Sequence, residues 1–146
     1  MVAIESTYGL GTSSYEAAGG REGLSRLVDA FYRHMDTLPE AAEIRAMHEL
    51  DLHLSREKLK VFLGGWLGGP NAYTATFGAI SIPRVHAHLT INEAERDAWL
   101  RCMAHAVAEQ PWTPEFKAYF LGAIAVPAER VRLSSLARRG AVTERT

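Results

Sequence analysis

The chain has little cysteine, little net charge and no long hydrophobic run. Its single cysteine, Cys102, excludes an intramolecular disulfide and is typical of a reducing compartment. The formal net charge of -1 gives no long-range attraction toward nucleic acid or an acidic membrane. No segment approaches the roughly 18 apolar residues that would span a bilayer, and residues 1–14 lack a basic start followed by an apolar run. We therefore expect a cytoplasmic protein whose partners include neither nucleic acid nor a membrane.

The alternation of apolar and polar residues that is typical of β-strands is also missing. Apolar residues recur instead at helical spacing, as at Leu24, Leu27, Val28, Phe31 and Met35. A length of 146 residues suffices for one domain that buries a single core and a cofactor. These patterns predict an all-α fold.

The predicted organisation is one globular domain between two extensions. Residues 1–14 are rich in Gly, Ser and Thr without periodicity, which indicates a flexible N-terminal extension. The domain is expected over residues 15–127, followed by a C-terminal helical extension and tail over 128–146. Pro127 should kink or end the last helix of the domain. Arg132 is expected to lie with its neighbouring arginines on a solvated face.

Residues 82–100, IPRVHAHLTINEAERDAWL, place one histidine in a loop and a tryptophan on the following helix. An imidazole held over a hydrophobic pocket is what a haem iron needs as its axial ligand, because a neutral ring nitrogen binds the metal and the pocket excludes water. His86 is the candidate, and Trp99 lies on the inward face of the helix. The long loop before His86 is unusual in a compact domain without a function there, and cofactor binding would explain it.

Two further motifs, Phe31-Tyr32 and Gly68-Gly69-Pro70, make this pattern specific. Together with the run His-x-x-x-x-Ile-x-x-x-Glu-Arg-Asp-x-Trp-Leu, they resemble the truncated haemoglobins, and the tryptophan of that run resembles their second group. The resemblance covers roughly residues 15–126. It implies a two-over-two helical sandwich that encloses haem b and its iron.

The resemblance also implies roles for individual residues. His86 would be the proximal ligand of the iron, and Tyr32, Trp99 and His48 would be hydrogen-bond donors on the distal side. Met47 competes with His48 for the corner over the haem, because the alignment slips by one residue there. The other ligand-binding positions are Phe31, the gate at Ser55 and Leu59 over the ligand, and the haem-lining positions include Phe62, Leu63 and Met103.

The haem propionates are the part of the pattern with the clearest departures. Family members carry basic and tyrosine side chains near the propionates, which implies roles for Lys58 and Tyr73. They usually carry an arginine directly before the proximal histidine. Here Val85 stands at that position, and Arg84 lies one place earlier. Arg84 is therefore the third candidate anchor.

The function implied is binding of dioxygen or another diatomic ligand. A phenol and an indole N–H in a dry pocket favour slow release, since each net hydrogen bond contributes about 0.5–1.5 kcal/mol. Reduction of peroxide or conversion of nitric oxide would require an external reductant, because nothing in the chain is predicted to bind a flavin or a nicotinamide. Whether the protein is an enzyme is left open. If the chain forms an oligomer, we expect a homodimer.

Two alternatives belong to other classes of protein. His86 and His88, spaced as His-x-His, could bind a non-haem metal together with His53 or His105. The chain could also be an all-α interaction module without a cofactor. A Soret band in the visible spectrum would separate the haem protein from both.

Overall fold

The computed structural model describes residues 13–69 and 91–145, with side chains as far as residue 137. Every regular element in these ranges is helical, which confirms the predicted all-α class. The elements are α1 (Ser13–Ala17), α2 (Gly20–Thr37), a 3-10 turn (Pro39–Ala41), α3 (Ala42–Ala46), α4 (His53–Trp66), α5 (Glu93–Ala108) and α6 (Pro114–Arg145). None of these helices is long and apolar enough to cross a membrane.

Helix α2 lies at the centre of the fold because one of its faces is continuously apolar. Leu24, Leu27, Val28, Phe31 and Met35 recur at spacings of three or four residues, and all are buried. Burying such a side chain contributes roughly 1.5–3 kcal/mol. Helix α2 packs against both α4 and α5, and α5 packs in turn against α6. The pair formed by α2 and α4 thus lies on the pair formed by α5 and α6, which is the two-over-two arrangement.

Helices α5 and α6 both begin at residues whose side chains replace missing backbone hydrogen bonds. The backbone N–H of Asn92 donates to Glu95 Oε1 at 2.7 Å, and the Asn92 side chain accepts from the Glu95 backbone N–H in return. Before α6, the backbone N–H of Phe116 donates to Thr113 Oγ1 at 3.2 Å. Pro114 opens α6, where its missing N–H costs nothing. These caps fix the direction in which each helix enters the core.

The short helix α1 belongs to the packed fold. Gly68 has a φ of 94° and ends α4 in the left-handed conformation that glycine accepts. The next residue, Gly69, lies against the Tyr15 ring, and a Cβ there would fall 2.5 Å from Tyr15 Cδ1. Ser14, expected in the flexible extension, is buried in α1. Helix α1 therefore includes two residues, Ser13 and Ser14, that were expected in the extension, and residues 1–12 lie outside the described ranges.

Of the two predicted effects of Pro127, a kink or an end of the helix, the end does not occur, because α6 continues to Arg145. A proline inside a helix costs roughly 3 kcal/mol, and contacts beyond it offset that cost. The backbone N–H of Ile91 donates to Ser135 Oγ at 2.9 Å, and Arg132 Nη1 lies 3.0 Å from Glu93 Oε1. Arg132 is 17% exposed and ion-paired, so the expectation of a solvated side chain was wrong. The extension is thus continuous with the last helix of the domain.

Candidate functional site

Three aromatic side chains meet where α2 faces α5. Phe31 is fully buried, and its ring centroid lies 4.9 Å from that of Tyr32 and 5.0 Å from that of Trp99. Both contacts are edge-on, the geometry in which aromatic quadrupoles attract. Phe31 thereby holds together the two side chains that the sequence predicted as the main distal donors.

The Tyr32 hydroxyl is buried but only weakly engaged. Tyr32 is 4% exposed, and its hydroxyl donates to the Ser55 carbonyl oxygen at 3.4 Å, well beyond the 2.7–2.8 Å of a strong O–H···O bond. Burial raises the pKa of Tyr32 to about 12, although the positive charge of Arg56 partly opposes this shift. The phenol therefore stays protonated at physiological pH and remains a donor.

The Trp99 indole is half-buried and packs at the edge of the core. Its N–H makes no hydrogen bond with any residue that the structure describes. The contrast is Trp112, whose indole N–H donates to the Ala18 carbonyl oxygen at 3.0 Å. An indole can only donate, so the Trp99 N–H is a candidate donor to a ligand.

His48 lies at the turn after α3, beside the distal tyrosine. Its ring centroid is 5.9 Å from that of Tyr32, and its Nδ1 donates to the Ile44 carbonyl oxygen at 2.8 Å. Because the carbonyl can only accept, Nδ1 carries the proton, and Nε2 of the neutral ring is an acceptor. Met47 is also half-buried. The structure places His48 against Tyr32, and which of the two side chains covers the haem stays a prediction.

Helix α4 supplies the wall that joins this cluster. Leu63 is fully buried, while Ser55, Leu59 and Phe62 are half-buried. The Phe62 ring stacks on that of Trp66, with their centroids 6.4 Å apart. On the facing helix α5, Met103 is fully buried, whereas Lys58 on α4 is exposed. The predicted lining residues of these helices thus form a largely apolar surface next to Phe31.

Sequence reasoning missed one residue of this region, Arg56. It follows Ser55 in the first turn of α4, and its charge acts on the Tyr32 hydroxyl. Its Nε is buried and has no hydrogen-bond partner in the part of the chain that the structure describes. A signal was available, because Leu52, Arg56 and Leu59 follow one another at spacings of four and three on one helix face.

Three predicted site residues lie outside the described ranges, namely His86, Tyr73 and Arg84. His88, from the alternative metal site, lies outside them as well. Within residues 13–69 and 91–145 no group of three or more His, Cys, Asp or Glu side chains is arranged to hold a metal ion. The proximal ligand and the propionate anchors therefore remain predictions.

Comparison with known proteins points to one family. A family model described as bacterial-like globin matches residues 13–130. The curated group 2 truncated hemoglobin YjbI of Bacillus subtilis (strain 168) is 32% identical over 117 residues, which are 80% of this chain and 86% of that protein.

Solved structures agree with this match. The group II 2-on-2 hemoglobin of Agrobacterium tumefaciens is 37% identical with a TM-score of 0.77, over 82% of this chain and 92% of that one. The truncated oxygen-avid haemoglobin of Bacillus subtilis is 32% identical with a TM-score of 0.74, over 81% of this chain and 97% of that one.

The chain therefore belongs to the bacterial-like globin family. Within it, the protein is a truncated haemoglobin of group II, a haem protein that binds haem b with iron and takes dioxygen or another diatomic ligand. This assignment replaces both the non-haem metal site and the cofactor-free module.

The described residues fit a haem. A porphyrin needs apolar walls, and Phe31, Leu59, Phe62, Leu63 and Met103 supply them from three helices. The polar groups at this surface are the Tyr32 phenol, with its long bond to the Ser55 carbonyl, and the Trp99 indole N–H, which has no hydrogen-bond partner among the described residues. Such donors suit a small polar ligand that rises from the centre of the ring.

Proposed function

We propose that His86 is the proximal ligand of the haem iron and that Trp99 and Tyr32 hold the diatomic ligand by hydrogen bonds on the other side. When bound, the haem supplies the metal centre for the ligand. The observation that carries the distal half is the contact of Phe31 with both Tyr32 and Trp99. The register of the His86 motif in the sequence supports the proximal half.

The two donors contribute unequally. The Trp99 N–H gives up no hydrogen bond with a described residue when it turns toward a ligand, whereas Tyr32 must weaken its bond to the Ser55 carbonyl. His48 orients Tyr32 through its ring edge and offers an acceptor at Nε2. Tyr32 and Trp99 in a buried, apolar setting favour a long-lived ligand complex. The description of the Bacillus subtilis relative as oxygen-avid supports the same behaviour here.

The rest of the proposed site surrounds these donors. Ser55 is the gate and Leu59 the aliphatic roof over the ligand, while Lys58, Tyr73 and Arg84 anchor the propionates. The exposure of Lys58 supports this, because a propionate anchor must reach the edge of the haem next to solvent. Phe62, Leu63 and Met103 contact the ring itself.

We infer ligand binding as the function and assign no turnover. Chemistry on peroxide or nitric oxide requires an external reductant, and no described feature identifies one. A homodimer and a cytoplasmic location also stay predictions. The single free cysteine, Cys102, is buried, as suits a reducing compartment.

The test of the proposed function is the choice between two neighbouring histidines. Purified His86→Ala should lose the normal axial bond, with a displaced Soret band or a low haem content. His88→Ala should keep the absorption spectrum of the original protein in both the ferric and the ferrous state. If His88→Ala loses the normal spectrum and His86→Ala keeps it, the assignment is wrong.

A further inference from the structure

Arg56 is a charged residue in the first turn of α4, on the helix face that turns toward the core. Leu52, four residues earlier, is 6% exposed, and Leu63, seven residues later, is fully buried. Side chains at these spacings share one face of a helix. Arg56 itself is half-buried. A guanidinium on this face loses part of its hydration, which is costly unless another group compensates.

No described group compensates it. Three other arginines are half-buried, and each has a carboxylate: Arg45 pairs with Asp36 at 2.5 Å, Arg96 with Glu129 at 2.8 Å and Arg132 with Glu129 at 2.6 Å. Arg56 forms no ion pair with residues 13–69 or 91–145, and its buried Nε–H has no acceptor there.

The charge of Arg56 also reaches the ligand side of the proposed site. Its backbone follows Ser55, whose carbonyl accepts from the Tyr32 hydroxyl, and its charge favours the anionic form of that phenol. A positive charge that favours the anionic form of Tyr32 also favours an anion bound beside the Tyr32 hydroxyl, to an extent that falls with distance.

We propose that Arg56 and Tyr32 form an anion-selective subsite on the distal side, where Arg56 supplies to a small monovalent anion its charge and an Nε–H that has no acceptor among the described residues. This rests on the proposed function, because the subsite lies beside the ligand position defined above. It identifies a class of ligand beyond neutral diatomic gases. Arg56 is thus a specificity-determining residue.

Azide and carbon monoxide test this subsite, because they differ in charge and both bind haem proteins. We would measure the azide Kd of the ferric protein and the carbon monoxide Kd of the ferrous protein. Hydrogen bonds to charged partners are the stronger ones, so Arg56→Met should weaken azide binding roughly tenfold and change carbon monoxide binding less than twofold. Arg56→Lys keeps the charge without the Nε–H and should be intermediate.

Lys60→Met is the matched control. It removes a positive charge from the same helix, but that charge already pairs with Asp29 at 3.7 Å and Glu57 at 3.9 Å. It should leave both affinities unchanged. Arg56→Met should fold, since methionine has a similar length and removes the unpaired buried donor.

Two outcomes would overturn the subsite. Equal changes in the azide and carbon monoxide affinities would make Arg56 a packing residue. Unchanged azide affinity with faster haem dissociation would make it a propionate anchor instead. Failure of the proposed function is distinguishable from both, because it is read from the spectra of His86→Ala and His88→Ala, which leave Arg56 unchanged.

Discussion

At the scale of single residues, ligand binding on the distal side depends on whether each proposed donor already makes a hydrogen bond within the protein. The Tyr32 hydroxyl has a long bond to a backbone carbonyl, and its high pKa keeps it protonated. The Trp99 N–H has no described partner. On the proposed function, a ligand would therefore gain a full hydrogen bond from Trp99 but only the difference between two bonds from Tyr32.

This difference predicts which substitution changes ligand release. Trp99→Phe keeps most of the aromatic volume and removes the N–H, so the dioxygen off-rate should rise roughly threefold to tenfold, as the loss of one neutral bond of ~0.5–1.5 kcal/mol implies. Tyr32→Phe should change it less, because Tyr32 gives up its bond to Ser55 when it binds the ligand. Stopped-flow measurement of dioxygen dissociation gives both rates.

Trp112→Phe is the control for removing an indole N–H. Trp112 donates to the Ala18 carbonyl oxygen, not to a residue of the Phe31, Tyr32 and Trp99 cluster, and it packs on Phe116 with a centroid distance of 4.9 Å. This variant should lower the free energy of unfolding and leave the off-rate unchanged. An unchanged off-rate in Trp99→Phe would reduce Trp99 to a packing residue.

At this scale the sequence predicted Phe31, Tyr32 and Trp99 together but not the neighbouring cation, Arg56. Phe31-Tyr32 and Trp99 belong to short motifs with fixed spacing, and the structure brings all three into contact. Arg56 belongs to no motif. The structure distinguishes Arg56 by the buried helix face on which it lies and by its Nε–H, which has no acceptor among the described residues. The second feature depends on tertiary packing.

At the scale of elements, hydrogen bonds and ion pairs connect the part of α6 beyond Pro127 to the start of α5. Glu129 binds both Arg96 of α5 and Arg132 of its own helix, at 2.8 Å and 2.6 Å. The fully buried Ser135 accepts the Ile91 N–H just before α5. Helix α6 therefore holds the point at which the chain enters α5, five residues after His86.

The shared carboxylate predicts a dependence of stability on pH. Hydrogen bonds from Arg132 and Arg96 lower the pKa of Glu129 to about 2, below the usual value of roughly 4.3 in an unfolded chain. A lowered pKa stabilises the fold above the unfolded value, and this contribution disappears as the pH falls toward 2. Glu129→Gln should therefore have a lower Tm than the original protein at pH 7, and the two should converge as the medium is acidified.

The comparison needs a carboxylate that is not shared in this way. Glu49 is exposed, and its side chain forms no ion pair among the residues that the structure describes, so Glu49→Gln should keep the pH profile of the original protein. Added salt should narrow the gap caused by Glu129→Gln, because these side chains are partly exposed and their charges are screened. A gap of constant size from pH 7 to pH 2 would contradict the role of the charge.

The same contacts explain why α6 continues past Pro127 instead of ending there. Pro127 is a sound local signal for a helix end, and Arg132 by itself resembles any surface arginine. Their outcome depends on Glu93 and Ile91, which lie far away in sequence and meet α6 only after folding. The helix starts at Asn92 and Thr113 rest on local caps, and the structure forms both.

At the scale of the whole molecule, the buried core is divided unequally among the helices. Helix α2 buries eight residues, and an aromatic group of Trp112, Phe116 and Phe120 fills the contact between α6 and its neighbours. Helix α4 buries only Leu63 and Gly64. The all-α class could be predicted because each helix has its own apolar repeat. The small number of buried residues in α4 could not be predicted, because burial depends on which side chains of other helices lie opposite each residue.

This inequality predicts where the protein loosens when haem is removed. The first ten residues of α4, through Phe62, include no buried residue, and the half-buried Leu59 and Phe62 are proposed to rest on the haem. The last turn of α4 is held by Trp66, whose ring meets that of Phe120 at 5.8 Å. Hydrogen–deuterium exchange should therefore quicken at least tenfold in residues 53–60 of the haem-free protein, a loss of ~1.4 kcal/mol of local stability. The aromatic part of α6 should keep its protection, since Phe116 and Phe120 pack on each other and on Trp112. Equal loss of protection in α4 and α6 would contradict this division and show that haem supports the whole core. Unchanged exchange in residues 53–60 would show that α4 is stable without haem.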